Sequence, residues 1–202
     1  MYSFDDSDLT SEKSLWDVYK LSRRIKPSKF HVIVVVGCFF ALTLNAVIFS
    51  NNEDVILADL RKWAEMGFGF SITILGFLIA GFTIFSTLSK PRMMLAMMDH
   101  TNQETGLPTL KYNFFAFMKV FIAYIALLLL YTLILILGQS GGLVSNVIDY
   151  LPNSDCVRTV IISFGYAIVG SSFVYLLLLL KSFVFNIYAI VMNMLRWEYH
   201  QQ

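Results

Sequence analysis

The sequence predicts an all-α polytopic membrane protein with four transmembrane helices, cytoplasmic N and C termini, and a long fourth helix extending into the cytoplasm. Three observations carry that prediction. Of 202 residues 57% are hydrophobic and 14% charged, against roughly half and a quarter in a soluble domain, so a water-soluble fold would expose wide apolar patches and aggregate. Four segments are long enough to cross a hydrocarbon core about 30 Å thick, which takes about 20 helical residues. Finally, twelve of the fifteen Lys and Arg residues fall on one side of these segments, with only Arg61, Lys62 and Arg158 on the other, and cytoplasmic loops are the ones that retain cations. No hairpin-spaced alternation supports a barrel, and lipid satisfies no open backbone, so each span reads as a helix.

Residues 1–10 hold Asp5, Asp6 and Asp8 without periodicity and are expected to form a mobile tail. From Ser11, Leu15, Val18, Tyr19, Ser22 and Ile25 recur at helical spacing until Pro27 breaks the run. Trp16, Lys20, Arg23, Arg24 and Lys26 then mark a lipid-facing surface, a basic amphipathic helix on the inner leaflet. Ordinary topological anchoring ranks above recognition of a specific lipid. The chain divides linearly into this cytoplasmic tail and interfacial helix (1–29), a four-helix transmembrane domain (30–181) and a cytoplasmic helical extension (182–202).

The spans run from Phe30 to Phe49, Met66 to Leu88, Phe114 to Leu137 and Thr159 to Leu180. Lys119, one and a half turns inside the third, is expected to send its ammonium to the headgroups along its apolar stem. The first span is too long, and lies too far behind six cations, for a cleaved signal peptide. Between the first two spans, Leu57, Leu60, Trp63 and Ala64 suggest a short helix on the outer membrane surface, with Trp63 as anchor. Cys38 and Cys156 sit at different depths and make no disulfide framework.

In the connection from Ser89 to Asn113, Met93, Met94, Met97 and Met98 form a polarizable stripe beside Lys90 and Arg92, and Gly106 and Pro108 mark a turn. Beyond Lys181, Ser182, Asn186, Ala189 and Asn193 continue a helical face for about four turns. The methionines with Ser182, Asn186 and Asn193 are the candidate partner-docking residues, gathered with the N-terminal helix on the cytoplasmic side.

Chemistry has little to work with. Ionisable groups inside a membrane usually mark transport or relay sites, yet no Asp, Glu, Lys or Arg lies near the centre of a span. His31, His100 and His200 lack ligand spacing, and no nucleophile-elbow, phosphate-loop or kinase signature occurs. The expectation is a protein with no enzymatic activity, no cofactor and no bound metal. The informative helix is the second, where Gly69, Thr73, Gly76, Ala80, Thr83 and Thr87 draw one small-residue stripe. Small residues let helices approach closely in lipid, so helix packing ranks above the sharper alternative, in which several copies aim the stripe at a central pore that gates by dewetting.

The run from Gly76 to Thr87, GFLIAGFTIFST, followed by Ser89, Lys90, Pro91 and Arg92, on a chain of this size and span number, resembles the KwaA family, the membrane subunit of the Kiwa anti-phage defence system. The resemblance covers nearly the whole chain, and with no invariant catalytic motif it transfers no functional residue. It implies a multi-pass protein of the bacterial inner membrane, a homo-oligomeric sensor and scaffold of antiviral defence. That protein would hold a co-encoded cytoplasmic DNA-binding effector, KwaB, and would itself touch membrane lipid but no nucleic acid. The alternative expectation is a small homo-oligomeric pore that conducts ions or depolarises the membrane.

Overall fold

A computed structural model describes residues 4–49, 52–88, 90–139, 142–150 and 153–199; residues 1–3 of the expected tail and His200 lie outside them. The described chain is helical, with no strand beyond a single bridge between Thr101 and Pro108. Its elements are α1 (Asp6–Leu9), α2 (Leu15–Ser22), α3 (Lys29–Leu44) continued by a π turn (Asn45–Phe49), α4 (Glu53–Leu88), α5 (Pro91–Asp99), α6 (Thr109–Leu137), α7 (Leu143–Asp149) and α8 (Ser154–Tyr199). Four are long and apolar enough to cross a membrane, over Lys29–Ile48, Glu53–Thr87, Thr109–Leu137 and Ser154–Tyr199. The chain is thus an all-α, multi-pass membrane protein. Wide apolar exposure fits that setting: Ile33, Phe40, Leu129, Ile136, Val160 and Phe164 all stand more than half exposed, as side chains facing lipid do.

The helix boundaries follow local chemistry. Ser14 caps α2, its hydroxyl accepting the Asp17 N–H at 3.2 Å and donating to the Asp17 carboxylate at 2.7 Å. The helix ends at Ser22, one turn before Pro27, so Arg23, Arg24 and Lys26 lie beyond it. Pro91 occupies the first turn of α5, where its missing N–H costs nothing. Gly106, at φ 68°, closes the turn between α5 and α6.

The region expected to hold a separate surface helix is instead the start of α4, unbroken from Glu53 to Leu88. No Gly or Pro interrupts residues 53–66, and Leu60 and Ala64 are buried, so nothing stops the helix and packing favours its continuation. The Asn52 side chain accepts the Asp54 N–H at 3.1 Å and starts it.

Contacts divide the chain into two compact units, neither contiguous in sequence, and α4, α6 and α8 each contribute a segment to both. The first comprises Met1–Lys26, Leu75–Ala123 and Leu179–Gln202. Its interior is a cluster of phenylalanines. Phe82 meets Phe114, Phe117 and Phe121 edge-on at 5.7, 6.4 and 6.2 Å between centroids, and Phe117 meets Phe183 at 5.3 Å, geometries that suit the aromatic quadrupole. Gly81 admits that cluster, since a Cβ there would come within 3.2 Å of Phe183 and Ile187.

The second unit comprises Pro27–Ile74 and Tyr124–Leu178. One core joins Ala46, Ile56, Ile162 and Tyr166, edged by Leu42, Leu57 and Trp63. Trp63 stacks on Tyr166 at 4.5 Å, so the residue expected to anchor at the interface is a packing element. The Tyr124 hydroxyl donates to the Leu176 carbonyl at 2.8 Å, and the Tyr131 and Ser172 hydroxyls share a bond of 2.8 Å, whereas the buried hydroxyls of Ser71 and Ser163 have no partner among the described residues. Cys38 and Cys156 are both free thiols.

Candidate functional site

The elements expected to face the cytoplasm meet in the first unit. The segment before α2 is held to α6 by Lys111, whose ammonium lies 2.7 Å from a Glu12 carboxylate oxygen and 2.6 Å from the Ser11 hydroxyl. Both side chains of the Lys111–Glu12 pair are more than four-fifths buried, which strengthens their attraction relative to water. One turn past α2, the Ile25 carbonyl accepts from Lys119 Nζ at 2.5 Å. The Lys119 ammonium, expected at the headgroups, is thus spent on tying the N-terminal segment down. Lys90, the residue preceding α5, pairs with Glu198 near the end of α8 at 2.6 Å, joining two sequence-distant elements. The surface contribution of that exposed pair is small, but it records their proximity.

Within this unit the methionine stripe splits. Met93 and Met98 are buried, while Met94 and Met97 are partly exposed. The spacing i, i+1, i+4, i+5 covers a face wider than one contact, so half of it fills the interior. On α8, Ser182 and Asn186 are half-buried and Asn193 is exposed, with the fully buried Phe183 between the first two. The available surface therefore consists of Met94, Met97 and Asn193, and the remaining candidates are partly or wholly structural.

Trp16, Lys20, Arg23, Arg24 and Lys26 are all exposed. Trp16 stacks on Tyr19 at 5.2 Å, and Lys20 Nζ lies 5.9 Å from the Trp16 ring. An exposed tryptophan and Leu15 beside four cations is the composition of an interfacial surface.

The small-residue stripe of α4 lies on an open face. Gly69, Thr73, Gly76, Ala80, Thr83 and Thr87 are all exposed, and a Cβ at Gly69 or Gly76 would meet nothing within 4 Å. The three threonine hydroxyls donate back to their own helix, to the carbonyls of Gly69, Ile79 and Thr83 at 2.9 Å each, which leaves the face weakly polar and self-satisfied. Packing inside the chain uses a different small-residue face, Ala64, Gly67 and Ser71, all buried. That face was also legible, at steps of three and four, but it is shorter and lacks a second glycine. A Cβ on Gly67 would lie 2.7 Å from the Tyr131 ring.

Among the described residues no group of His, Cys, Asp and Glu could hold a metal ion. Comparison with models of known protein families, with curated proteins and with solved structures finds no match to this chain.

Proposed function

We propose that this protein is an oligomeric sensor and scaffold of the bacterial inner membrane. In this reading both termini are cytoplasmic, the chains associate through the open small-residue face of α4, and a soluble cytoplasmic partner docks on the first unit. The observation that carries it is the convergence, in that unit, of the N-terminal segment, α5 and the end of α8. In this reading the cation distribution assigns these segments to the cytoplasm; Lys111 and Lys119 of α6 tie down the N-terminal segment, and Lys90 links the start of α5 to the end of α8. The resemblance to the KwaA family supports antiviral defence as the setting and a DNA-binding effector as the partner. A change in the envelope would then alter helix packing, and partner affinity would follow only if the two packings differ in their contacts with it.

The burial pattern selects the test. Replacing Met93 or Met98, or deleting 182–202 with Phe183 and Ile190, would remove core, whereas Met94→Ser, Met97→Ser and Asn193→Lys together alter only accessible groups. Co-purification with the product of the neighbouring gene should fall at least tenfold in that triple variant while the oligomer keeps its mass. Undiminished capture would refute the docking surface.

The same open face supports a second reading, a homo-oligomeric pore lined by Thr73, Thr83 and Thr87. Thr73→Leu with Thr83→Leu separates the two. If the face is a packing interface the oligomer dissociates; if it lines a pore the oligomer persists and liposome conductance changes.

A further inference from the structure

Within the second unit, the start of α4, the end of α6, α7 and the start of α8 enclose a cavity of about 410 Å³, inside the range of small-molecule sites. Eight of its fourteen lining residues are Leu, Ile or Val. The polar residues at its edge are Arg61, Gln139, Asp149 and Arg158, two cations against one acid, for a net charge of +1. Their position is set by helix ends. Gly138 and Gln139 directly follow α6, and Arg158 lies in the second turn of α8. From Arg158 the wall continues through Ile161 and Ile162 to Gly165, a further seven residues or about 10 Å into the apolar stretch.

The two arginines differ in commitment. Arg61 donates through Nε and Nη2 to the Gly138 carbonyl, at 2.9 and 2.6 Å, satisfying an orphan acceptor at the end of α6. Arg158 is exposed and makes no hydrogen bond or ion pair with any described residue, although Asp149 lines the same cavity. An uncommitted charged fork beside an apolar slot, directly before the apolar span that begins at Thr159, matches a molecule with a negative head and a hydrocarbon tail.

We infer that this cavity binds one anionic phospholipid, its phosphate on Arg158 with the Arg61 charge behind it and an acyl chain against Leu133, Leu137 and Ile161. The site requires only that the protein lie in a membrane and is independent of partner docking or oligomer size.

The test uses the full chain in mild detergent, with native mass spectrometry reading retained lipid. Dioleoyl phosphatidylglycerol should be retained in preference to the phosphatidylcholine of the same chains, one molecule per protomer. Arg158→Gln should weaken phosphatidylglycerol about tenfold or more, the effect of losing a charge-assisted contact, and Arg158→Lys should keep most of it. Ile161→Trp, which fills the slot, should lower retention of both lipids. Millimolar inorganic phosphate should not displace the lipid; full displacement would make this a site for free anions and overturn the assignment. Equal retention of the two lipids, or unchanged binding in Arg158→Gln, would overturn it as well. Should Arg158→Gln fail to fold, the headgroup preference of the unmodified chain and the Ile161→Trp result still decide.

Discussion

Gly67 and Gly69 stand two positions apart on α4 and do opposite things. Gly67 is buried under the Tyr131 ring, which is fully buried and pinned through its hydroxyl to Ser172. The ring cannot swing away without breaking that bond, so an added methyl overpacks the site. Gly67→Ala should destabilise the protein by about 1 to 3 kcal/mol, read as a lower thermal midpoint in detergent. Within a single chain Gly69→Ala meets open space and removes a helix-destabilising glycine, so the midpoint of the dissociated monomer should stay level or rise slightly. An equal loss in both variants would contradict the placement of these two faces. The contrast also explains why composition alone misjudges small residues: identical glycines serve either close approach or an open surface.

Short elements depend on caps because they have few internal hydrogen bonds. In α2 the Ser14 hydroxyl bonds the Asp17 carboxylate and holds its pKa below the ordinary carboxylate value. A pKa lowered on folding contributes stability that is present above the unfolded value and lost as pH falls through the folded one. The cap of α2 should therefore hold at neutral pH and weaken only well into the acid range, below about pH 4. The carboxyl chemical shift of Asp17 followed against pH should give an apparent pKa below the ordinary one, and Ser14→Ala should return it upward. An unshifted midpoint in the unmodified protein would sink this account. α4 illustrates the reverse case, in which 36 residues without a proline need no help from a surface anchor. A helix start at Glu53, thirteen residues before the apolar span, follows from Asn52 and from the burial of Leu60 and Ala64.

At 46 residues, α8 is about 69 Å long, more than twice the thickness of a hydrocarbon core. It must therefore project beyond the bilayer whichever way the chain is inserted, and the distribution of cations decides on which side the longer projection falls. With the proposed orientation, Cys156, an exposed free thiol near the start of α8, faces the outside. A membrane-impermeant maleimide added to sealed right-side-out vesicles should label Cys156 and leave Cys38, within the apolar run of α3, unlabelled. Tags placed at the two ends should both be reached only after permeabilisation. Labelling of one end alone from outside would place the termini in different compartments and remove the docking unit from the cytoplasm.

Hydropathy and charge by themselves determined the helical class, the four apolar helices and, within a few residues, the ends of α3, α6 and α8, because lipid imposes one strong local requirement on every spanning segment: internal hydrogen bonding and an apolar exterior. The convergence of the N-terminal segment, α5 and the α8 extension was also anticipated from their charge. What periodicity could not decide was which of two small-residue faces of α4 turns inward, that Met93 and Met98 are core while Met94 and Met97 are not, or that Lys119 is claimed by Ile25. Those outcomes depend on which side chains arrive opposite from distant parts of the chain, and the cavity beside Arg158 exists only because three helix ends and α7 meet there. Local sequence specifies what each helix can bury; only tertiary contact selects the partner, since in lipid every apolar face is equally acceptable until shape and hydrogen bonding distinguish them.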